Sequence, residues 1–238
     1  MTLPRIALRP GLPQPRRHRA WHTLAVALAS LPALAQAVCT SDGAPAPQAV
    51  LERFISADCA TCWTDPATPA AAQGVLALDW VVPSPRGDDA PLSTVALREA
   101  ADRLATLGRA PPDAALHITT LRRDRAPAVR LAQGDSFNDY IGTSIELKGG
   151  GRGPWNAWLL LVEALPAGTE GSPVERLLVR NVFRPPWEQP AARALASRLE
   201  RRSMQIHAGA QPERLRLVAL VQDAQGRMRA ITQTICRP

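Results

Sequence analysis

Two cysteines separated by two residues, Cys59 and Cys62, directly follow an apolar run of the chain. That run covers residues 49–56, and a second apolar run of strand length covers residues 75–82. Residues 49–56 alternate enough to form a buried strand, and the near-continuous apolar run at 75–82 is typical of a central parallel strand. The sequence therefore predicts a strand–helix–strand crossover, with both sulfur atoms at the turn between the first strand and the helix.

This arrangement predicts thiol chemistry of the kind found in thioredoxin-like folds. The helix dipole favours the thiolate of Cys59, and Cys62 lies one turn further on, close enough to form a disulfide with it. On this interpretation Cys59 is the nucleophile and Cys62 resolves the mixed disulfide. Asp79, on the second strand, is the candidate acceptor for the proton of Cys62. The alternative is that Asp79 caps a loop or pairs with an arginine.

Nearby charges and prolines favour a second interpretation of the cysteine pair, a stable structural disulfide. Asp58 directly precedes Cys59 and Asp65 lies close by, and both carboxylates disfavour a thiolate there. Pro66 and Pro69 shorten the helix whose dipole would favour the thiolate. The sequence leaves open whether this pair is redox-active or structural.

The two remaining cysteines, Cys39 and Cys236, lie close to the ends of the expected mature chain. If the neighbouring pair forms one disulfide, these two form the other, and we predict that it is structural. The chain-entropy argument gives a disulfide across so long a loop about 4–5 kcal/mol. The alternative is a pair of free or scrambled thiols at the two termini. Full pairing of the cysteines fits an oxidising compartment.

The first 37 residues have the order of a secretory signal peptide: five arginines without an acidic residue, an apolar stretch at 24–34, and Ala-Gln-Ala at 35–37. We expect cleavage after Ala37 and a periplasmic or secreted protein. Neither this stretch nor any later one is long enough to span a bilayer. Removing the five arginines lowers the formal net charge from +7 to about +2. The remaining arginines are mixed with acids, so we expect no nucleic-acid partner.

Turn-forming residues at Pro111 and Pro112 predict a boundary between two modules, 38–112 and 113–238. The first contains the crossover and an amphipathic helix that is capped by Ser93 or Thr94 and ends at Gly108. The spacing places Leu97, Ala101, Leu104 and Leu107 on its buried face, and Arg98, Glu99, Asp102 and Arg103 on its solvent face.

Strand-like segments separated by turns predict an antiparallel β-rich second module. They cover residues 116–121, 128–131, 140–147, 157–163, 175–181, 214–221 and 227–232. One helix, over residues 190–201, interrupts the series, with Ala194, Leu195 and Leu199 facing inward. Residues 149–151 and 223–226 are predicted hairpin turns.

Several strings along the chain resemble an exported bacterial protein family of unknown function. The family's opening signature is an apolar strand ending in Glu-Leu-Phe-Thr-Ser, then Cys-x-x-Cys-Pro-Pro-Ala-Asp, a helix, and an apolar strand running into His-Val-Asp-Tyr-Trp. Residues 51–62 and 75–80 are similar to it here. Residues 181–184 and 217–223 are similar to the family's late Asn-Val-Val-Arg and Val-Gln-Asp strings. The resemblance spans residues 49–234.

The resemblance implies a thioredoxin-like module followed by a β-rich module, and the departures from it imply a reduced first module. Residues 63–66 replace the family's prolines after the dithiol, and the family's histidine before Asp79 is missing. The family's Tyr-Thr-Pro-Gln string, which supplies a cis-proline opposite the dithiol, is also missing, and Pro83 and Pro127 are the nearby candidates. We therefore expect an α/β thioredoxin-like module of reduced size, then an antiparallel β-rich module.

Together these features predict weak thiol–disulfide exchange through Cys59 and Cys62, with other envelope proteins that bear thiols or disulfides as partners. The alternative is a catalytically silent envelope protein, a binding or scaffolding module with structural disulfides. We expect no cofactor. We also expect no metal site, because a closed zinc site needs four ligands and only His117 and His207 accompany the cysteine pair in the mature chain.

Overall fold

The computed structural model describes residues 39–123, 127–190 and 195–236, and over these residues the protein consists mainly of β-strands. The strands are β1 (Cys39–Thr40), β2 (Ala49–Ser56), β3 (Val75–Val82), β4 (Ala115–Leu121), β5 (Ala128–Phe137), β6 (Tyr140–Gly151), β7 (Trp155–Leu165), β8 (Arg176–Phe183), β9 (Leu195–Gln205), β10 (Leu215–Asp223), β11 (Met228–Gln233) and β12 (Ile235–Cys236). The α-helices in this part of the chain are α1 (Ala60–Trp63) and α2 (Arg98–Thr106).

The strands form two sheets. One has the order β11-β10-β7-β8-β3-β2-β4, and the other has the order β12-β1-β5-β6-β9. Strands β2 and β3 are parallel, and β8 joins β3 in parallel on its other side. The predicted parallel pair that flanks the cysteines is therefore confirmed. Strands from both sides of residue 112 belong to the same seven-stranded sheet, since β4 pairs with β2 and β8 pairs with β3.

The expected α/β thioredoxin-like module is wrong. Its crossover helix is reduced to the four residues of α1, which is about one helical turn. Residues 64–74 contain no helix or strand, and Pro66 and Pro69 prevent the helix from continuing. On one face β2 and β3 pack against α2, and on the other they pack against α1 and irregular chain that includes Leu92 and Val95. They are part of a mixed sheet.

The seven-stranded sheet curves around an apolar core. Phe54, Trp80, Trp158, Leu160, Val179, Val218 and Ile231 belong to this core, together with Ala100 and Leu104 of α2. Arg103 of α2 donates to Glu52 on β2 and to Gln222 on β10, and three strands separate β2 from β10 in the sheet order. The sheet must therefore curve to bring these two strands to one side chain.

The prediction that Arg103 lies on the solvent face of α2 is wrong, because its side chain is fully buried. Its guanidinium forms two hydrogen bonds with the Glu52 carboxylate, at 2.8 and 2.7 Å, and one with Gln222. It also lies over the ring of Trp158. Paired in this way, the charge of Arg103 is compensated inside the core.

A second core lies between the two sheets. Leu131, Ile145, Leu147 and Met204 of the five-stranded sheet pack against Leu159, Leu161, Leu217 and Val221 of the seven-stranded sheet. The predicted strands at 116–121, 128–131, 140–147, 157–163, 175–181, 214–221 and 227–232 are confirmed as β4, β5, β6, β7, β8, β10 and β11. The predicted turn at 223–226 is confirmed between β10 and β11.

Two other predictions in this half of the chain are wrong. The helix at 190–201 is replaced by β9, which pairs with β6, and residues 191–194 lie outside the described part. Leu199 is 41% exposed, because alternation along a strand turns it outward. The glycines at 149–151 form the end of β6 and no hairpin turn, since β6 and β7 belong to different sheets.

The expected signal peptide, residues 1–37, lies outside the described residues. Within the described ranges, every helix is too short or too polar to cross a membrane.

Candidate functional site

The protein contains two disulfides, and they pair the cysteines as expected. Cys39 and Cys236 lie opposite each other in the antiparallel pair formed by β1 and β12. Cys39 is buried, and the two residues are 197 positions apart in sequence. The alternative of free terminal thiols is wrong, because the protein has no free cysteine. This disulfide joins the two ends of the folded chain.

The second disulfide joins Cys59 and Cys62 around a single turn. Cys59 directly precedes α1, and the amide of Cys62 donates to the carbonyl oxygen of Cys59 at 3.1 Å. Both cysteines are partly exposed. The chain-entropy argument gives so short a loop about 2 kcal/mol, and gives the terminal disulfide about 5 kcal/mol. The exposed disulfide therefore contributes much less to stability than the terminal one.

The two sulfur-bearing residues differ in their surroundings. Cys62 packs against a buried apolar cluster that includes Ile55, Val81 and Leu178. Cys59 lies outside this cluster, and its Sγ is 3.6 Å from Oγ1 of Thr61. Cys59 is therefore the sulfur that an incoming thiol reaches more easily.

Asp79 lies between two buried arginines. Its Oδ2 accepts a hydrogen bond from Nη2 of Arg53 at 2.6 Å, and its Oδ1 accepts one from Nη1 of Arg176 at 2.5 Å. All three side chains are fully buried. Burial raises the pKa of Asp79, and the positive charges of Arg53 and Arg176 oppose that rise. The alternative prediction, that Asp79 pairs with an arginine, is therefore confirmed. The role of Asp79 as proton acceptor stays a prediction.

The Arg53–Asp79–Arg176 cluster holds the chain that carries the cysteines. Nη1 of Arg53 donates to the carbonyl oxygen of Pro69 at 2.9 Å, and Nη2 of Arg176 donates to that of Trp63 at 2.7 Å. The guanidinium of Arg176 also lies over the Trp63 ring, 4.3 Å from its centroid. The backbone is thereby fixed just after Cys62 and again six residues further on.

Our sequence reasoning missed both arginines of this cluster. A usable signal was present for one of them, because Arg53 is the cation within β2 and Asp79 is the charged residue within β3. Strands β2 and β3 pair in parallel with Arg53 directly opposite Asp79. No local pattern indicates that Arg176, about a hundred residues further on, completes the cluster.

A cavity of about 280 Å³ borders the disulfide segment, and we call it the Trp63 cavity. Its apolar lining is Trp63, Leu92, Val95, Leu165 and Leu178, and its polar lining includes Glu163, Thr169, Glu170, Arg180, Gln211 and Arg214. Glu163 and Arg180 form a buried ion pair, with Nε of Arg180 2.7 Å from Oε2 of Glu163. The other Glu163 oxygen accepts a hydrogen bond from the amide of Gln211.

The sequence offers Pro83 and Pro127 as candidates for a cis-proline opposite the cysteine pair, and it predicts no metal site. Among the described residues the cis peptide bond is Gly153–Pro154, next to β7, and Pro83 is trans. His117 lies exposed on β4, where desolvation by the neighbouring protein and then the charge of Arg53 lower its pKa. No group of three or more His, Cys, Asp or Glu side chains comes together as a metal site within the described ranges.

Comparisons with known protein families, with curated protein sequences and with solved structures each find no match for this chain. The resemblance of residues 49–234 to an exported family therefore stays a prediction. The function has to follow from the residues of the site.

Proposed function

We propose that this protein exchanges thiols and disulfides with partner proteins through Cys59 and Cys62, in the periplasm or outside the cell. The observation that carries the proposal is the contrast between its two disulfides. The Cys39–Cys236 disulfide closes a loop of nearly the whole described chain and has one buried cysteine, Cys39, whereas both cysteines of the Cys59–Cys62 disulfide are partly exposed and close a single turn. Exposed disulfides that contribute little to folding are the labile ones.

The exchange balances with a partner dithiol as the reductant. A partner thiolate attacks Sγ of Cys59, the Cys59–Cys62 bond breaks, and Cys62 leaves as a thiolate that takes a proton from water. A second partner thiolate then attacks the partner sulfur of the mixed disulfide and releases Cys59, which is protonated in turn. Two electrons and two protons pass to the protein, and the partner gains a disulfide. The reverse sequence reduces a partner disulfide.

The buried arginine cluster supports this chemistry through positioning. Because Arg176 holds the carbonyl of Trp63 and Arg53 holds that of Pro69, opening the disulfide leaves the backbone of this segment in place. The two sulfur atoms then stay near each other, which in the reverse sequence favours attack of the Cys62 thiolate on Sγ of Cys59 and closure of the disulfide. Both oxygens of Asp79 are occupied by arginines, so the proposed exchange uses water for the proton of Cys62.

A catalytically silent binding or scaffolding module is the second candidate, and the size of α1 favours it. A helix of four residues has little dipole with which to stabilise a thiolate at Cys59. Asp58 adds a negative charge next to that sulfur, although Arg86 lies 3.6 Å from its carboxylate. In this case the Cys59–Cys62 disulfide would be a permanent structural link.

A redox titration separates the two candidates. The oxidised protein without residues 1–37 is equilibrated with glutathione buffers, and free thiols are alkylated and located by mass spectrometry. We expect Cys59 and Cys62 to be reduced at a potential between about −120 and −230 mV, while Cys39 and Cys236 stay joined. A potential below about −300 mV for the Cys59–Cys62 pair would refute the exchange and support the structural role.

A further inference from the structure

The Trp63 cavity and the exposed disulfide share a wall. Trp63 follows Cys62 directly in the chain and lines the cavity. Cys62 packs against the same apolar cluster to which Trp63, Leu165 and Leu178 belong, and these three residues also line the cavity. The Cys59–Cys62 disulfide and the Trp63 cavity therefore border the same apolar cluster.

The lining of the cavity is mixed and more polar than apolar, and its apolar wall and its size suit one side chain. A volume of about 280 Å³ lies just below the range for small-molecule pockets, which begins at roughly 300 Å³. Leu92 and Val95, from the loop after β3, form one side of the lining, and Trp63 and Leu165 form another. A bulky apolar side chain placed there is removed from water on several sides.

The polar lining suits the main chain of a polypeptide. The charges of Glu163 and Arg180 compensate each other in their buried ion pair. Arg214 is half-buried, and within the described ranges its guanidinium has no ion-pair partner. Its N–H groups are available to peptide carbonyl oxygens, which a pure hydrocarbon ligand would not supply. A free anion suits the cavity less well, because the Glu163 carboxylate belongs to the lining.

We propose that the Trp63 cavity binds a bulky apolar side chain of the partner polypeptide, close to the partner cysteine that attacks Cys59. This inference rests on the proposed exchange function and names its substrate class, which is polypeptide with apolar residues beside cysteine. Arg214 donates to the backbone of the same segment. The cavity then raises the local concentration of such cysteines at the disulfide.

The test compares two capped heptapeptides with a central cysteine, one with Leu and one with Asn two residues away on either side. Each peptide thiol is mixed with the oxidised protein, and the rate of mixed-disulfide formation at Cys59 is measured by acid quenching and mass spectrometry. We expect the Leu peptide to react about tenfold faster, as burial of one apolar side chain predicts. Dithiothreitol, which has no side chain to place, measures exchange independently of the cavity.

Matched variants locate the effect. Val95→Glu puts a charge into the lining, and we expect the ratio of the two peptide rates to fall close to one. Leu121→Glu puts the same charge on β4, where Leu121 is 63% exposed and outside the cavity lining. We expect this variant to keep the same ratio of the two peptide rates as the unmodified protein. If Val95→Glu fails to fold, the ratio of the two peptide rates on the unmodified protein still tests whether the cavity binds an apolar side chain.

The outcomes separate the inference from the function on which it rests. Equal rates for the two peptides, with clear exchange by dithiothreitol, overturn the cavity inference and leave the proposed function standing. No exchange with dithiothreitol or with either peptide overturns the proposed function. In that case, calorimetry with cysteine-free versions of the peptides tests whether the cavity binds an apolar side chain. Tighter binding of the Leu version supports apolar side-chain binding, and equal or absent binding overturns it.

Discussion

At the scale of single residues, the two cysteines of the exposed disulfide have different environments. Cys62 packs against buried apolar side chains, whereas Cys59 lies outside that cluster. The two sulfur atoms therefore differ in how easily another thiol reaches them. The helix dipole contributes little to this difference, because α1 has only four residues. In the proposed exchange, this difference assigns the first attack to Cys59 and the resolving step to Cys62.

We expect Cys62→Ser to accumulate a stable adduct at Cys59 when the reduced protein meets oxidised glutathione, because no neighbouring thiol releases it. The matched variant Cys59→Ser should form its adduct at Cys62 about tenfold more slowly, owing to the packing of Cys62. Intact-mass spectrometry over time measures both rates. A faster reaction of Cys59→Ser would reverse the assigned roles.

Asp79 is the residue on which the fixed backbone of this segment depends. It is the anion between Arg53 and Arg176, and all three side chains are shielded from water. Removing one partner from a buried ion pair leaves an uncompensated charge, which is far more costly than losing an exposed pair.

We therefore expect Asp79→Asn to lower the free energy of unfolding by about 3–5 kcal/mol, because two buried guanidinium groups then lack an anion. Urea unfolding followed by circular dichroism measures the change. Asp102→Asn on the exposed side of α2 is the control, and it should stay within about 0.5 kcal/mol of the unmodified protein. A similar small effect of Asp79→Asn would show that the arginines do not need this carboxylate.

At the scale of elements, the hairpin between β10 and β11 shows local chemistry that the sequence reveals by itself. Oδ1 of Asp223 accepts hydrogen bonds from the amides of Gln225 and Arg227, and its Oδ2 accepts one from Nε of Arg227. Partial burial raises the pKa of Asp223, but these hydrogen bonds outweigh it and hold the pKa below its ordinary value.

The lowered pKa of Asp223 predicts a pH dependence with a definite sign. The stabilisation is present above the ordinary aspartate pKa of about 3.9, and it is lost as the pH falls through the lower pKa of the folded protein. We expect Asp223→Asn to cost about 1 kcal/mol at pH 7 and to cost less at pH 3. Urea midpoints at the two pH values measure this. An equal cost at both would contradict it.

At the scale of the whole molecule, two long-range links bring the ends and sides of the chain together. The Cys39–Cys236 disulfide joins residues 197 positions apart, and the Glu52–Arg103–Gln222 network joins β2, α2 and β10. Both links join segments that are far apart in sequence, so each contributes to the stability of the whole set of strands rather than of one element.

We expect the double variant Cys39→Ser/Cys236→Ser to lose about 5 kcal/mol of unfolding free energy, and Cys59→Ser/Cys62→Ser to lose about 2 kcal/mol, because the loops differ greatly in length. Denaturant unfolding of both variants, each retaining the other disulfide, measures the difference. A larger loss for the short loop would show that the exposed disulfide is the structural one.

Much of the fold could be read from local patterns. The alternation and turn residues of the second half predicted seven strands, and the apolar runs at 49–56 and 75–82 predicted a parallel pair. The same reasoning assigned a helix to residues 190–201, because small and apolar residues there fit a helical period as well as a strand. These residues form a strand because they pair with β6, which lies about fifty residues earlier in the chain.

The sequence by itself determined where most of the strands lie and that Cys59 and Cys62 fall at the turn after β2, because spacing and periodicity are local properties of the chain. Only the tertiary structure decided that β2 and β3 continue into a sheet with β7, β8 and β10, that Arg53, Arg103 and Arg176 are buried, and that a cavity borders Trp63. The physical reason is that the free energy of burying a charge depends on its partner. Those partners, Asp79 and Glu52, meet their arginines only once distant segments have packed together.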